Sequence, residues 1–375
     1  MNLRGPLADL RTSCTEIDAA WAAVGRSLEA FPDIVRDHTA GLDLTPFGVL
    51  EDVVELLDER TIAEQQRLSS FSDLYLRIFD NSHFWVEILN WWGSDINIHD
   101  HDFSGVQFQL KGDAFNLLYV FDAAEVVEGV SIGEVTLKSA ERWVEGRTSV
   151  VLPGRLAPHN VCHVGMPTVS LLIRTHPRRS YGPQWNYFPP GIAASYQVAD
   201  VCFRKRVGAL RLLARGEDRP AFHRAFRTYV QELALNQLLF VLVKMIDIVF
   251  ETAHVELVLE LAESARPYVS EVIRAVAAHK AAEVIKALRW NPQIDASARE
   301  VLAVLGSSFD EEAAKVAMDN CGMDSSDWGV SHAISRVASA MPSKNRQELL
   351  NALKAVGMSR WASADEILHG ASEIR

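Results

Sequence analysis

Cysteine is scarce and scattered: four in 375 residues, Cys14, Cys162, Cys202 and Cys321, with no C-x-x-C pair among them. That spacing gives no hint of a disulfide framework or a zinc knuckle, and it suits a reducing, cytoplasmic setting. Positive charge is in deficit, with 37 Lys and Arg against 49 Asp and Glu and a formal net charge of -12. A binder of phosphate backbones needs a concentrated basic face, so nucleic acid is not expected as a partner. The one basic cluster, "FRKRVGALRLLAR" at 203–215, reads as the polar side of a helix. Long uncharged runs are missing too. The most apolar stretch, "LALNQLLFVLVKMIDIVF" at 233–250, carries Lys244 and Asp247, which favours a buried core helix over a membrane span. The opening "MNLRGPLADLRTS" lacks the apolar core of a signal peptide.

What is present falls into three textures. Residues 1–72 show apolar side chains at helical spacing, as in "PLADLRTSCTEIDAAWAAVGRSLEAF" and "LTPFGVLEDVVELLDERTIAEQQRL", with Thr45-Pro46 as a cap and first turn. Residues 73–192 break into short β-rich runs, "FWVEILNWW", "SGVQFQLKG", "AFNLLYVFD", "GEVTLKS", "TSVVLPG" and "TVSLLIRTH", separated by turn residues. Many short strands at close spacing predict an antiparallel sandwich or barrel. The Pro- and aromatic-rich "PRRSYGPQWNYFPPG" at 177–191 is expected to wrap or leave that barrel. Residues 205–375 read as almost wholly helical. The fold class predicted is a multidomain α+β chain: N-terminal helices packed on a β-barrel, then an all-α domain.

The chemistry concentrates in "NIHDHDFSG" at 97–105. Side chains two apart on a strand share a face, so His99 and His101 both point into or both out of the barrel. Two bare imidazoles inside a barrel are costly unless bonded, and a shared metal ion answers that cost. A third ligand is available in "LPGRLAPHNVCHVG", which offers His159 and His163. An H-x-H strand, a closing Gly112, a hairpin and a later Pro-Gly-led histidine follow the cupin (jelly-roll) pattern. The place where many cupins carry a glutamate ligand is Val106, with Gln107 and Gln109 nearby. Three neutral histidines leave the full charge on the metal, which favours anionic substrates and dioxygen.

From about Tyr75 to Arg174 the chain resembles the cysteine dioxygenase family of thiol dioxygenases. The matching segments are "YLRIFDNSHFWVEILNWWG", "SDINIHDHDFSG", "APHNV" and "MPTVSLLI". The resemblance implies a mononuclear iron(II) site held by His99, His101 and His159, with Arg77 of "YLR" orienting a substrate carboxylate. Trp92-Gly93 matches the family's tryptophan-glycine. Where the family has Ser-x-His-x-Tyr, this chain has Ser170, Leu172 and Arg174, and Val106 stands for the cysteine that crosslinks to that tyrosine in mammalian members. The change removes a phenol and brings a fixed cation to the pocket, so Arg77 and Arg174 together are expected to clamp an anion. A loop about two residues shorter than the mammalian pattern keeps His163 in play as third ligand.

The function expected is an iron(II)-dependent dioxygenase that uses O2 to oxidise a small metabolite bearing a thiol and a carboxylate. Two alternatives stand beside it: the same iron site acting on a non-thiol, amino-acid-like metabolite in specialised biosynthesis, and a non-catalytic cupin sensor or scaffold whose helical region docks a partner. A homodimer through the helical region is a further expectation. His83 and His176 are expected in a turn and on the loop surface.

Overall fold

The computed structural model describes residues 3–69, 71–195 and 200–361. Eleven strands are described: β1 Leu74–Asp80, β2 Phe84–Trp91, β3 Ile98–His101, β4 Gly105–Lys111, β5 Ala114–Val127, β6 Val130–Trp143, β7 Thr148–Val151, β8 Gly154–His163, β9 Thr168–Thr175, β10 Asn186–Phe188 and β11 Ile192–Ala194. One sheet has the order β1-β2-β9-β4-β7, and β10-β11-β6-β5-β8-β3 form a closed barrel. The α+β cupin-like barrel with helices on both flanks of the sequence is therefore the architecture observed. By contacts the chain divides into two compact units, one of residues 1–96, 100–117 and 140–183, the other of 97–99, 118–139 and 184–375.

In the first unit the sheet is built on strict alternation. Phe84, Val86 and Ile88 of β2, with Val169, Leu171 and Ile173 of β9, bury against the N-terminal helices. The helix Arg4–Ala23 meets them with Leu7, Leu10, Cys14, Ile17 and Trp21, a stripe at three- and four-residue spacing. The opposite face of the same strands carries Leu89, Trp91 and Leu172, clustered with Phe103 and Val151. Every residue of β2 is buried, because both of its faces are covered.

Two expectations change. The second N-terminal segment is not one helix but a 3-10 turn, Thr45–Gly48, followed by Leu50–Leu56 and Arg60–Gln65. Thr45 does not cap it: its backbone N–H and hydroxyl both bond to the Asp43 carboxylate, and Val49 breaks out to extended backbone at φ −96°, ψ 108°. The segment expected to wrap or leave the barrel instead supplies β10, which pairs with β3 and β11.

In the second unit, helices from Val201–Arg215 to Ser343–Ala355 follow the barrel strands. Asp200, Asp218, Asp295 and Asp310 start four of them, each carboxylate accepting the N–H of the residue three ahead. The apolar run divides into Leu235–Lys244 and Ile246–Val249, and Leu238, Leu239, Val241, Leu242 and Val249 lie in a cluster with Val130, Phe188 and Ile192. Among the described residues no helix is long and apolar enough to cross a membrane.

Strand closure in this unit depends on glycine. Gly133 donates its N–H to the Gly191 carbonyl at 2.9 Å, and a Cβ on Gly133 would lie 2.2 Å from the Asp122 carbonyl oxygen. Backbone cannot yield as a flexible side-chain tip does. Gly133→Ala is expected to destabilise the protein by about 3 kcal/mol, read as a lowered urea midpoint at unchanged slope.

Candidate metal centre

Strand β3 places His99 and His101 on one face, and β8 brings His159 to them. One ring nitrogen from each lies within 4.8 Å of the others, and all three residues are buried. Nε2 of His101 and Nε2 of His159 are 2.9 Å apart. About 3 Å is the separation of two nitrogens each ~2.1 Å from one ion at a right angle. The other ring nitrogens are tied down. His159 Nδ1–H donates to Asn116 Oδ1 at 2.7 Å, and His99 Nδ1–H donates to the Asn97 carbonyl at 2.8 Å. Each bond fixes a tautomer that leaves Nε2 with its lone pair for the site, the arrangement typical of metal-ligating histidine. Burial pushes His99 down to about 4, with the Asn97 hydrogen bond opposing it, so the ring is neutral at ordinary pH. No carboxylate belongs to the group. The residues present thus fit a divalent transition metal, while the choice among iron, manganese, nickel, copper and zinc is not set by three imidazoles.

His163, the competing third ligand, stands four residues along β8 from His159 and stacks on Trp91, with centroids 4.6 Å apart. It is not in the three-histidine group. His176 is not loop surface only: it bonds Asp80 at 3.1 Å and meets the Trp85 ring edge-on. His83 lies in the β1–β2 turn, 3.1 Å from Asp18.

The two arginines come together on the inward face of the sheet. The β1–β2 register sets Arg77 opposite Glu87, and β9 sets Arg174 opposite Trp85 and Gly105. Both guanidinium groups lie against the Trp85 ring, at 4.2 and 4.4 Å from its centroid, and Arg174 also covers Phe103 at 3.3 Å. Phe103 in turn touches the His101 ring, 4.5 Å between centroids. Arg77 is bonded to Asp80 at 2.7 Å and to the Tyr75 oxygen. Tyr75 donates to Glu87 at 2.7 Å, and Trp85 Nε1 donates to the same carboxylate oxygen. Burial and the Glu87 charge push Tyr75 up to about 12, so it remains a phenol that donates. Burial, opposed by Arg174, raises the Asp102 carboxyl above its ordinary value. Two cations therefore share this face of the sheet with Asp80, Glu87 and Asp102.

No protein-family model and no curated protein matches the chain. Solved structures match at low identity. The chain is similar to the DMSP lyase DddQ from Ruegeria pomeroyi, at 15% identity over 30% of this chain and 53% of the lyase, TM-score 0.21. That match spans about half of the lyase. It is similar to hydroquinone 1,2-dioxygenase from Sphingomonas sp. TTNP3, 13% identical over 32% of this chain and 72% of that one, TM-score 0.22. An uncharacterised double-stranded beta-helix protein from Klebsiella pneumoniae matches at 15% identity over 36% and 95%, TM-score 0.21.

Val106 does not face the pocket. It packs with the N-terminal helices, and Gly105 is the β4 residue set against Arg174, so neither a ligand nor a crosslink partner is replaced there. Gln109 turns its amide to the Lys111 and Gly112 carbonyls. Residues that sequence reasoning passed over are Asn116, Tyr75, Trp85, Glu87 and Asp102. A lone Glu87 within the otherwise apolar "FWVEILNWW", and Asn116 within "AFNLLYVF", were the available signals. Removing a partner that orients a ligand typically costs ten- to a hundredfold in metal affinity. Asn116→Ala is expected to weaken Co(II) or Zn(II) binding by roughly that factor in a competition titration, with the fold retained by circular dichroism.

Proposed function

We propose that this chain is a metal-dependent oxygenase of the cysteine dioxygenase-like type, iron(II) being the metal and a small thiol- and carboxylate-bearing metabolite the substrate. The observation that carries the reading is the convergence of three buried histidine nitrogens without a carboxylate. His99, His101 and His159 would hold the metal, leaving its charge undiminished by anionic ligands. Iron bound there would supply the activation of O2 and a Lewis-acidic seat for the substrate's donor atom. The protein's own contribution is placement and dryness. Asn116 and the Asn97 carbonyl hold two imidazoles in orientation, while Leu89, Trp91, Phe103 and Leu172 keep water from the interior. An arginine on the inward face orients the substrate's carboxylate. No side chain here has to act as a strong acid or base.

The tightly packed Leu89–Trp91–Phe103–Leu172 cluster favours one second reading, a metal-stabilised cupin scaffold without turnover. Oxygen uptake by anaerobically iron-loaded protein separates the readings. With small thiols, uptake with a product two oxygens heavier, abolished by His99→Ala, is expected. Uptake only with non-thiol amino acids would move the substrate class and keep the chemistry. Stoichiometric iron with no uptake on either panel would leave the scaffold.

A further inference from the structure

Arg77 and Arg174 lie on the same face and against the same tryptophan, yet their donors are used differently. A guanidinium has five N–H groups in a fixed fork. In Arg77 all three nitrogens are engaged: Nη1 with Asp80, Nε and Nη2 with the Tyr75 oxygen. In Arg174 the nearest carboxylate atoms, Glu87 Oε1 and Asp102 Oδ1, stand 3.7 and 3.9 Å away, outside hydrogen-bond reach. Its Nε is buried and bonded to nothing. The faces of the group are covered by Phe103 and Trp85 while its donor edge is left unused.

Why Arg174 does not close on Glu87 is visible in the sheet. Glu87 already accepts from Tyr75 and from Trp85 Nε1. The register puts Leu172, not Arg174, opposite Glu87, and holds the arginine beside Trp85. On the other flank Gly105 makes room, since a Cβ there would lie 3.0 Å from Arg174 Cβ and 2.7 Å from the Ile173 carbonyl. A buried cation held by stacking, with carboxylates near enough to compensate its charge but not to take its donors, is complementary to a planar anion approaching the fork edge-on.

We propose that Arg174, and not Arg77, receives the substrate's carboxylate, and that Arg77 serves as a strut of the Asp80–Tyr75–Glu87 network. The inference rests on the oxygenase reading only for what the rest of the substrate does. The anion site itself is a property of β9, β4 and Phe103, and accepts a single carboxylate of a small molecule. Phe103 separates it from His101 by one ring.

The test is a calorimetric titration of propanoate, with methylammonium as the cationic control, into the full chain both metal-free and Co(II)-loaded. Wild type is expected to bind propanoate and not methylammonium in both forms. Arg174→Gln is expected to weaken propanoate by about 30-fold or more, the loss of a charged two-point hydrogen bond. Arg174→Lys, which keeps the charge and the fold but not the fork, is expected to lie between. Arg77→Gln is expected to lower the thermal midpoint while the folded fraction binds within about threefold of wild type, since Arg77 donates nothing to the ligand. Propanoate binding that survives Arg174→Gln and Arg174→Lys, that is lost in folded Arg77→Gln, or that is absent from wild type would overturn the proposal. Failure of wild type to take up Co(II) would instead count against the oxygenase reading, with the metal-free titration still deciding the anion site.

Discussion

Side chains on a strand alternate, and in β2 and β9 both alternate sets are spoken for. Even positions of β2 hold the N-terminal helices; odd positions line the interior. A strand in that situation has no solvent face on which to park a mismatch, so its register is fixed by two cores at once. The polar side chains of these two strands inherit their places from that register: Glu87 because Phe84, Val86 and Ile88 face the helices, Arg174 because Val169, Leu171 and Ile173 do. The same rule on β3 sends His99 and His101 the same way.

Two electrostatic strategies sit side by side in the interior. In the histidine group burial holds His99 neutral, and an amide and a backbone carbonyl orient His159 and His99, so the group costs little to bury until an ion arrives. The arginine group is charged and has to be matched where it stands. Arg77 and Asp80, 12% and 21% exposed, form a close pair, and breaking such a pair from one side typically costs about 3 kcal/mol because the survivor is left unmatched. Tyr75 extends that pair to Glu87 by accepting from the arginine and donating to the carboxylate. The network is directional, and reversing any donor would strand a neighbour.

The fold class was legible in the sequence because short β-rich runs between turn residues leave few architectures open, and because helical stripes such as Leu7-Leu10-Cys14-Ile17-Trp21 announce a buried face. The pairing of His99 with His101 was legible for the same reason of period. His159 against His163 was not, since residues four apart on one strand share a face and only the third dimension separates them. The Tyr75–Glu87 bond was hidden because it joins residues 12 apart across the β1–β2 register, and only that bond gives the Trp85–Glu87 contact, two residues along one strand, its place in a network. Val106 shows the cost of a one-residue offset: matched by sequence to a pocket position, it packs with the N-terminal helices, while its neighbour Gly105 is the β4 residue set against Arg174. Strands β10 and β11, three residues each amid Pro and Gly, carry too little pattern to be read at all.

Leu172, Arg174 and Gly105 are best understood as one arrangement, not three separate residues. In the sheet Leu172 is opposite Glu87 and Gln107, and Arg174 is opposite Trp85 and Gly105. An apolar residue at 172 leaves Glu87 to Tyr75 and Trp85, so no donor from β9 competes for it. That leaves the arginine one step along to stack, with Glu87 and Asp102 as ion partners at 3.7 and 3.9 Å and no hydrogen bond to either, and Gly105 opposite it offers no side chain to crowd it. Phe103 then completes the arrangement by touching both Arg174 and His101. In the anion site proposed for Arg174, Phe103 is the side chain that touches both that cation and a member of the histidine group, so its size bears on the spacing a ligand joining them would need.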